Sequence, residues 1–526
     1  MKAFLQRFGA LVAGVLQGFD RLVFKGRLKQ LYMPDGMHKF FALNGIRRED
    51  FKMYVASVTK KIMETSLIAQ AKELGRFCYL SSTNIDKEET ARAIAAKHRV
   101  KEGLVCVLQC VEPCWTFNLS TGPWAVPVIR GERGRCSQLY HYYLHPKFGW
   151  MYVRLQTWFP FEIQVGLNGR EWLSRQMDQE GLRYRRSDNK FLRANWQRAQ
   201  ELFDEQLQTD WVTELDKLQQ QVHPLHPGHL GRMSLNYNWT VFQSEWATDV
   251  VFRSQEVLRT WFDRWLRQAF LTFDSTDVLA FFGRTLLSPR RHTRVKSTVF
   301  NYFEGKRIRH WVDHNSLKAY THATVLRPEA TINNADEIRI LRPPADDPEG
   351  KPSWQRLRRT VADFAERAKF SQGVNERYLE ALAATAETRT VKELAEPLTR
   401  RVPEPAGKPG KKPRRVRALN PLAAEDAALL VAISDPKWMV NGLRNRDLVA
   451  VLYPTERPDS ETPDSHERRR RSARVTRLLR LLRAHGLLEK IPQSHRYQVT
   501  TESRMRIQAL LACRNANPDT LITNAA

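Results

Sequence analysis

The stretch between Leu139 and Gly169 constrains the fold more than any other part of the chain. Its sequence, LYHYYLHPKFGWMYVRLQTWFPFEIQVGLNG, is rich in aromatic and β-branched residues and is interrupted by Pro-Lys-Phe-Gly and by Phe-Pro. Such runs, separated by turn residues, favour β-strands joined by short connections. We expect three strands here, and Arg154, Gln156 and Glu162 predict that one face of their sheet is polar. That face either stacks bases or forms the amphipathic edge of an ordinary core.

The rest of the chain predicts an α+β protein with several domains: an antiparallel-sheet body with helical insertions, followed by a C-terminal winged helix-turn-helix domain. The 526 residues are too many for one ordinary domain. Strand patterns at 307–311, 316–320 and 324–333 predict a second antiparallel meander, and 354–386 has helical spacing. The predicted segments are 1–125 (α/β), 126–235 (aromatic-rich sheet and helices), 236–345 (central meander), 346–402 (helical), 403–418 (basic linker) and 419–526 (winged helix).

The charge of the chain narrows the class of partner. Lysine and arginine number 84 against 57 acidic residues, which gives a formal charge of +27. Hydrophobic residues make up 42% of the chain, enough for real cores, so a wholly disordered protein is excluded. No apolar run approaches the ~20 residues of a membrane span, so we expect no membrane partner. A polyanion, most often nucleic acid, is the expected partner.

The first 19 residues, MKAFLQRFGALVAGVLQGF, imitate a short signal peptide. The polar positions Gln6, Arg7 and Gln17 interrupt the apolar run, and a small-residue cleavage site is missing. An amphipathic N-terminal helix and a cytoplasmic protein are therefore expected.

Two groups of potential metal ligands occur in the sequence. Cys106, Cys110 and Cys114 are spaced by four within VCVLQCVEPC, but this pattern is more typical of a buried strand running into a turn. Three histidines at 223, 226 and 229 alternate with prolines, which favours an extended loop over a preformed site. We expect both groups to be structural, with metal binding as the alternative.

The C-terminal region has the order of a winged helix domain, which it resembles closely. Helices are predicted at 423–433, from 441 and at 467–485, and two short strands follow at 487–491 and 496–499. The third helix carries arginines every three residues, and a basic Pro/Gly linker precedes the domain. Such groups can lie along a major groove and on phosphates. The predicted nucleic-acid-binding residues are Arg468, Arg471, Arg474, Arg477, Arg480, Arg496, Lys411, Lys412, Arg414 and Arg415.

The segment 315–332, NSLKAYTHATVLRPEATI, places a Ser-x-Lys-x-Tyr strand before a Leu-Arg-x-Glu strand. This pattern resembles plasmid rolling-circle replication initiators of the Rep_trans and filamentous-phage type, in which a tyrosine nicks one strand and carboxylates hold a divalent metal. The resemblance implies Tyr320 as nucleophile, Glu329 as ligand of Mg²⁺ or Mn²⁺, and Lys318 with Arg327 on the scissile phosphate.

Two further carboxylates, Asp249 and Glu245 on the SEWATDV segment, are candidates for the same metal from their position in the sequence. A nicking enzyme requires at least two carboxylates near the tyrosine, because the metal must be held where charge develops on the phosphate. If the carboxylates point into separate cores, the nicking hypothesis fails.

Taken whole, the chain resembles a large group of bacterial proteins associated with mobile elements. The segments that carry this resemblance are GFDRLVFKG, FPFEIQVGLNGREW, SEWATDVVFR, VLRPEATINN and the arginine-rich helix. The expected function is DNA recognition for replication or mobilisation, with metal-dependent nicking as its enzymatic form. The alternatives are a non-enzymatic RNA-binding component or regulator, and a structural protein that self-associates through the winged helix. Oligomeric state is left open.

Overall fold

The computed structural model describes residues 1–526 except 122–126, 224–225, 227–232, 234, 285–293, 303–304, 345–346, 348, 385–390, 404–414, 455–464, 493 and 517–526. The helices of the first 222 residues are α1 (Lys2–Phe8), α2 (Pro34–Leu43), α3 (Phe51–Met63), α4 (Ser66–Glu73), α5 (Lys87–Lys97), α6 (Gly169–Gln179), α7 (Trp196–Glu205) and α8 (Trp211–Val222). The strands are β1 (Val12–Leu28), β2 (Phe77–Leu80), β3 (Gly103–Thr121), β4 (Pro127–His145), β5 (Gly149–Gln156), β6 (Ile163–Asn168), β7 (Arg185–Ser187) and β8 (Lys190–Arg193).

Residues 237–384 also contain both strands and helices. Its strands are β9 (Tyr237–Phe252), β10 (Val295–Tyr302), β11 (Gly305–Val312), β12 (Asn315–His322), β13 (Val325–Ile332), β14 (Arg339–Arg342) and β15 (Ser353–Arg356). Its helices are α9 (Gln255–Leu271), α10 (Ser275–Phe281) and α11 (Phe364–Ala384).

The C-terminal part contains α12 (Val391–Ala395), β16 (Val402–Pro403), β17 (Arg415–Val416), α13 (Ala424–Ser434), α14 (Trp438–Asn441), α15 (Asn445–Leu452), α16 (Ser465–Ala484), β18 (Leu488–Lys490), β19 (Tyr497–Val499) and α17 (Thr501–Asn515).

Eleven strands form one sheet in the order β10-β11-β12-β13-β9-β1-β6-β5-β4-β3-β2. Neighbours are antiparallel except β2 and β3, so the predicted antiparallel-sheet body within a mixed α/β protein is confirmed. The predicted boundaries at 125/126 and 235/236 fall between strands of this one sheet.

The sheet consists of two halves with the same topology. In the first half β1 opens the sheet, and the meander β3-β4-β5-β6 returns to pair with it. In the second half β9 opens, and β10-β11-β12-β13 returns in the same way. The two opening strands pair antiparallel in the centre, which relates the halves by an approximate two-fold axis normal to the sheet.

The N-terminal helix is shorter than the sequence predicts. Lys2–Phe8 is α-helical and Gly9–Leu11 adds a 3-10 turn, but from Val12 onward the prediction is wrong because the chain becomes the central strand β1. A side chain at Gly14 or Gly18 would collide with the rings of Trp196 and Phe203 on α7. The two glycines that interrupt the apolar run therefore let a helix approach the strand closely.

Different helices cover the two faces of the central strands. On one face α11 packs beneath β9, where the Asn375 side chain donates to the Thr248 hydroxyl at 3.2 Å. On the opposite face α6 and α7 lie over β1. A separate hydrophobic cluster joins the helices of the C-terminal part to β18 and β19. No helix of the described residues is both long and apolar enough to cross a membrane.

Of the cysteines and histidines named above, those that the structure describes are buried, except Cys114, which is half-buried. Cys106 and Cys110 are buried in β3 within a cluster that includes Ala91 of α5. His223 and His226 are buried, and His229 lies outside the described residues. Among the residues that the structure describes, none of these side chains belongs to a group that is spaced to hold a metal ion.

Candidate metal centre and nucleic-acid interface

The face of the sheet on which α6 lies carries most of the predicted site residues. Side chains alternate across a strand, so residues in register at every second position share a face. Lys318 of β12 is directly opposite Glu329 of β13, and Glu329 is opposite Ala247 of β9. Glu245, two positions before Ala247, therefore points to the same side. The sequence alternation brings residues from three strands together.

A cluster of three carboxylates forms at the centre of this face. One oxygen each from Asp20, Glu245 and Glu329 lies within 4.8 Å of the other two. Asp20 comes from β1, at a register shift between Phe19 and Arg21 where the pairing with β9 slips by one residue. Asp20 and Glu245 are 12% and 15% exposed, and Glu329 is 1% exposed. The cluster is thus open on one side and closed beneath.

Burial dominates the electrostatics of Glu329. It raises the pKa of this carboxyl to about 7, and the neighbouring Glu245 and Asp20 act in the same direction while Lys318 opposes them. The Lys318 ammonium lies 2.5 Å from Glu329 and 3.7 Å from Glu245. Lys318 thus pairs with two of the three carboxylates of the cluster.

Tyr320 is in contact with the cluster. Its hydroxyl donates to Glu329 Oε2 at 3.2 Å. Burial, reinforced by the negative charge of Glu329, raises the pKa of the phenol well above its ordinary value, so the resting group is protonated. Two carboxylates therefore lie near Tyr320. Glu329 accepts its hydrogen bond, and Glu245 is linked to Glu329 by the Lys318 ammonium that lies between them.

Asp249 and Arg327 have a different place from the one predicted. Arg327 is fully buried, and its Nε and Nη2 donate to the two oxygens of Asp249 at 2.5 and 2.7 Å. Arg170 of α6 lies 3.2 Å from Asp249 on another side. The oxygens of Asp249 are thus engaged by guanidinium groups, and they lie outside the carboxylate cluster. A buried Arg327 does not reach a phosphate in solution.

Arg327 instead holds Asp20 in place. Its Nη1 donates to Asp20 Oδ1 at 3.0 Å, and its Nη2 donates to the carbonyl of Asn189 in the β7-β8 hairpin at 2.6 Å. The Asn189 side chain donates to the same Asp20 oxygen. The network fixes the carboxylate that the sequence analysis missed. The sequence did single out this residue, because Asp20 is the only acidic residue among the first 34.

The donor set fits a hard divalent cation. Three carboxylates from separate strands supply oxygen ligands, which Mg²⁺ and Mn²⁺ prefer. Among the described residues Lys318 is the cation that pairs with Glu245 and Glu329, and a divalent ion would add positive charge at a site with three carboxylates. A cleft of about 150 Å³ opens beside the cluster and is lined by Asp20, Arg21, Tyr152, Asn168 and Glu245, among others. Two of the three carboxylates, Asp20 and Glu245, therefore line an open cleft.

Basic groups extend from this centre along the same face. Arg307 and Arg309 of β11 lie opposite Tyr320 and Lys318, so they share the face with the cluster. The Arg309 guanidinium lies 3.8 Å from the centre of the Trp311 ring. A strand of nucleic acid that crosses the carboxylates would meet these cations.

The predicted basic residues of the C-terminal part fall into three groups. Arg468, Arg474, Arg477 and Arg480 are exposed on α16, whereas Arg471 pairs with Glu467 at 2.9 Å. Arg496 donates to the carbonyl of Asn441 at 2.8 Å and so holds the loop between α14 and α15. Arg415 is exposed in β17, and Lys411, Lys412 and Arg414 lie outside the described residues.

Comparisons with known protein families, with curated proteins and with solved structures found no match to this chain.

Proposed function

We propose that this protein binds nucleic acid and nicks a strand with the help of a divalent metal ion held by Asp20, Glu245 and Glu329. The observation that carries the proposal is the meeting of three carboxylates with Tyr320 and Lys318 on one basic face of the sheet. Replication or mobilisation of a bacterial mobile element is the setting that the sequence resemblance suggests.

Each residue of the centre has a separate role in this proposal. A bound Mg²⁺ or Mn²⁺ supplies positive charge beside the scissile phosphate. Glu329 accepts the hydroxyl proton of Tyr320 into a hydrogen bond at 3.2 Å, and is the nearest base for removing it. Lys318 balances the carboxylates in the resting protein. Arg327 positions Asp20 from below and does not touch substrate.

Binding is assigned to a C-terminal winged helix together with the sheet face. The order α13, α15, α16 and the β18-β19 hairpin supports this assignment, and Asn445 of α15 donates to the carbonyl of Ser472 on α16. Exposed arginines recur on α16. Contacts of this kind with phosphates supply affinity that falls steeply with salt.

The decisive experiment incubates the full chain with supercoiled DNA and with single-stranded DNA, with Mg²⁺, with Mn²⁺ or with EDTA. The proposal predicts that nicking requires the metal. It also predicts that Glu329→Gln and Glu245→Gln each slow nicking at least a hundredfold. A matched control, Glu256→Gln, changes an exposed carboxylate on α9 and should cleave like the wild type. Absence of metal-dependent cleavage would overturn the enzymatic proposal.

A second measurement separates covalent from hydrolytic nicking. If Tyr320 attacks the phosphate, denaturing gels will show a DNA–protein adduct that Tyr320→Phe abolishes. Cleavage that survives Tyr320→Phe without an adduct would assign the attack to water and leave Tyr320 as a positioning residue for Glu329.

One observation favours the non-enzymatic alternative of an RNA-binding component or regulator. Glu329 already has an ion pair with Lys318 and a hydrogen bond from Tyr320, as it would in a site that only stabilises the sheet. Cleavage assays that fail while RNA or DNA copurifies and binds with a steep salt dependence would support this alternative.

A further inference from the structure

A second polar cavity lies on the same face of the sheet, away from the carboxylate cluster. It has a volume of about 460 Å³ and is lined by Lys25, Arg27, Tyr32, Arg133, Arg154 and Glu162, among others. Lys25 is five residues beyond Asp20 on β1, on the order of 16 Å along the strand. The volume lies within the range of pockets that hold small ligands.

The cavity holds more positive charge than its one carboxylate can balance. Glu162 receives Lys25 Nζ at 3.1 Å, Arg27 Nε at 3.0 Å and Arg154 Nη2 at 3.1 Å. The Tyr32 hydroxyl also donates to it, at 2.8 Å. Three cations thus share one anion. The exposed Arg133 adds a fourth cation to the lining.

Two of these cations, Lys25 and Arg154, are mostly removed from water, which makes the charge imbalance costly. The side chains of Lys25 and Arg154 are 14% and 17% exposed. Burial lowers the pKa of Lys25 in spite of Glu162, and the charges of Arg154 and Arg27 lower it further. The Nε–H group of Arg154 is buried without a hydrogen-bond partner among the described residues. A buried surplus of positive charge is unfavourable unless an anion neutralises it.

We propose that this cavity is an anion site that binds the phosphate group of a nucleotide or of a nucleic-acid strand. Arginine and lysine donors around a concave site match the oxygens of phosphate, and arginine binds them in a fixed geometry. Glu162 orders the three cations in the absence of a ligand. The site is separate from the carboxylate cluster, so it holds whether or not that cluster cleaves a strand.

Isothermal titration of the full chain with inorganic pyrophosphate, in EDTA, tests the site with the metal centre kept empty. Arg154→Gln and Arg27→Gln should each weaken binding about tenfold or more, because each removes a charged donor. Arg27 is partly exposed, so its variant remains informative if the Arg154 variant does not fold. Lys147→Gln removes a positive charge from a half-exposed ion pair with Glu214 and should bind as the wild type does.

A competing single-stranded oligonucleotide identifies the source of the phosphate. Displacement of pyrophosphate would assign the cavity to a phosphate of the strand, whereas binding of both together would assign it to a free nucleotide. Glu329→Gln should bind pyrophosphate like the wild type, which separates this site from the proposed nicking centre. Absence of pyrophosphate binding, or equal weakening in Lys147→Gln, would overturn the inference.

Discussion

Replacing Asp249 with asparagine probes the buried charge network beneath the carboxylate cluster. Asp249 accepts two hydrogen bonds from Arg327 and lies 3.2 Å from Arg170, and all three side chains are fully buried. The asparagine side chain has nearly the same shape but carries no charge. The change therefore removes the electrostatic interaction while leaving the packing almost unaltered.

The expected cost follows from counting the buried charges. Arg170 and Arg327 are balanced by Asp249 and by Asp20, which Arg327 also contacts at 3.0 Å. After the substitution two cations face one anion, and arginine does not readily lose its proton. Leaving a buried charge without its partner costs about 3–5 kcal/mol. We expect Asp249→Asn to lower the free energy of unfolding by that amount.

Urea unfolding followed by tryptophan fluorescence measures this difference. The matched control is Asp336→Asn, because Asp336 forms an exposed pair with Arg359 at 2.7 Å that should contribute less than about 1 kcal/mol. In a double-mutant cycle, the variant that carries both Asp249→Asn and Arg327→Gln should lose less stability than the sum of the two single losses. A cost for Asp249→Asn within about 1 kcal/mol of the control would refute the reasoning.

Three further outcomes are expected. Burial lowers the pKa of His223 to about 3, so as the pH falls the unfolded chain takes up this proton before the folded chain does. His223 should therefore contribute about 2 kcal/mol to the loss of stability between pH 7 and 5 in urea melts, and His223→Gln should make that loss smaller by the same amount. Gly18→Ala should cost about 1–3 kcal/mol in the same assay because its Cβ meets an aromatic ring, whereas Gly9→Ala, with open space, should be neutral. Replacing Arg474 and Arg477 with alanine should lower the salt slope of DNA binding, measured by fluorescence anisotropy, by about 2; an unchanged slope would place the contacts elsewhere.

The parts of the fold that were predictable are those set by local pattern. Alternating aromatic and polar residues between Leu139 and Gly169 predicted β4, β5 and β6, and the turns between them fixed their antiparallel pairing. The pairing of β1 with β9 joins residues more than 200 positions apart, and no local signal announces it. The N-terminal helix is present but shorter than predicted for the same reason, because from Val12 onward burial between two strands overrode the local spacing.

The candidate site was predictable where it lies on one hairpin. Lys318, Tyr320 and Glu329 belong to β12 and β13, whose register follows from a short turn. Asp20 was missed because its approach to Glu329 depends on the β1-β9 pairing and on a register shift. Asp249 was predicted with Glu245 because both lie on the SEWATDV segment, and the structure separates the two because Arg170 and Arg327 engage Asp249.

The two-fold arrangement of the sheet has a consequence for how such a centre could arise. Asp20 belongs to the first half, whereas Glu245 and Glu329 belong to the second. Neither half by itself supplies all three carboxylates, so the cluster exists only where the two halves meet. The halves are therefore alike in strand order but different in chemistry: the carboxylate cluster lies where they meet, and the arginine-lined cavity lies in the first half.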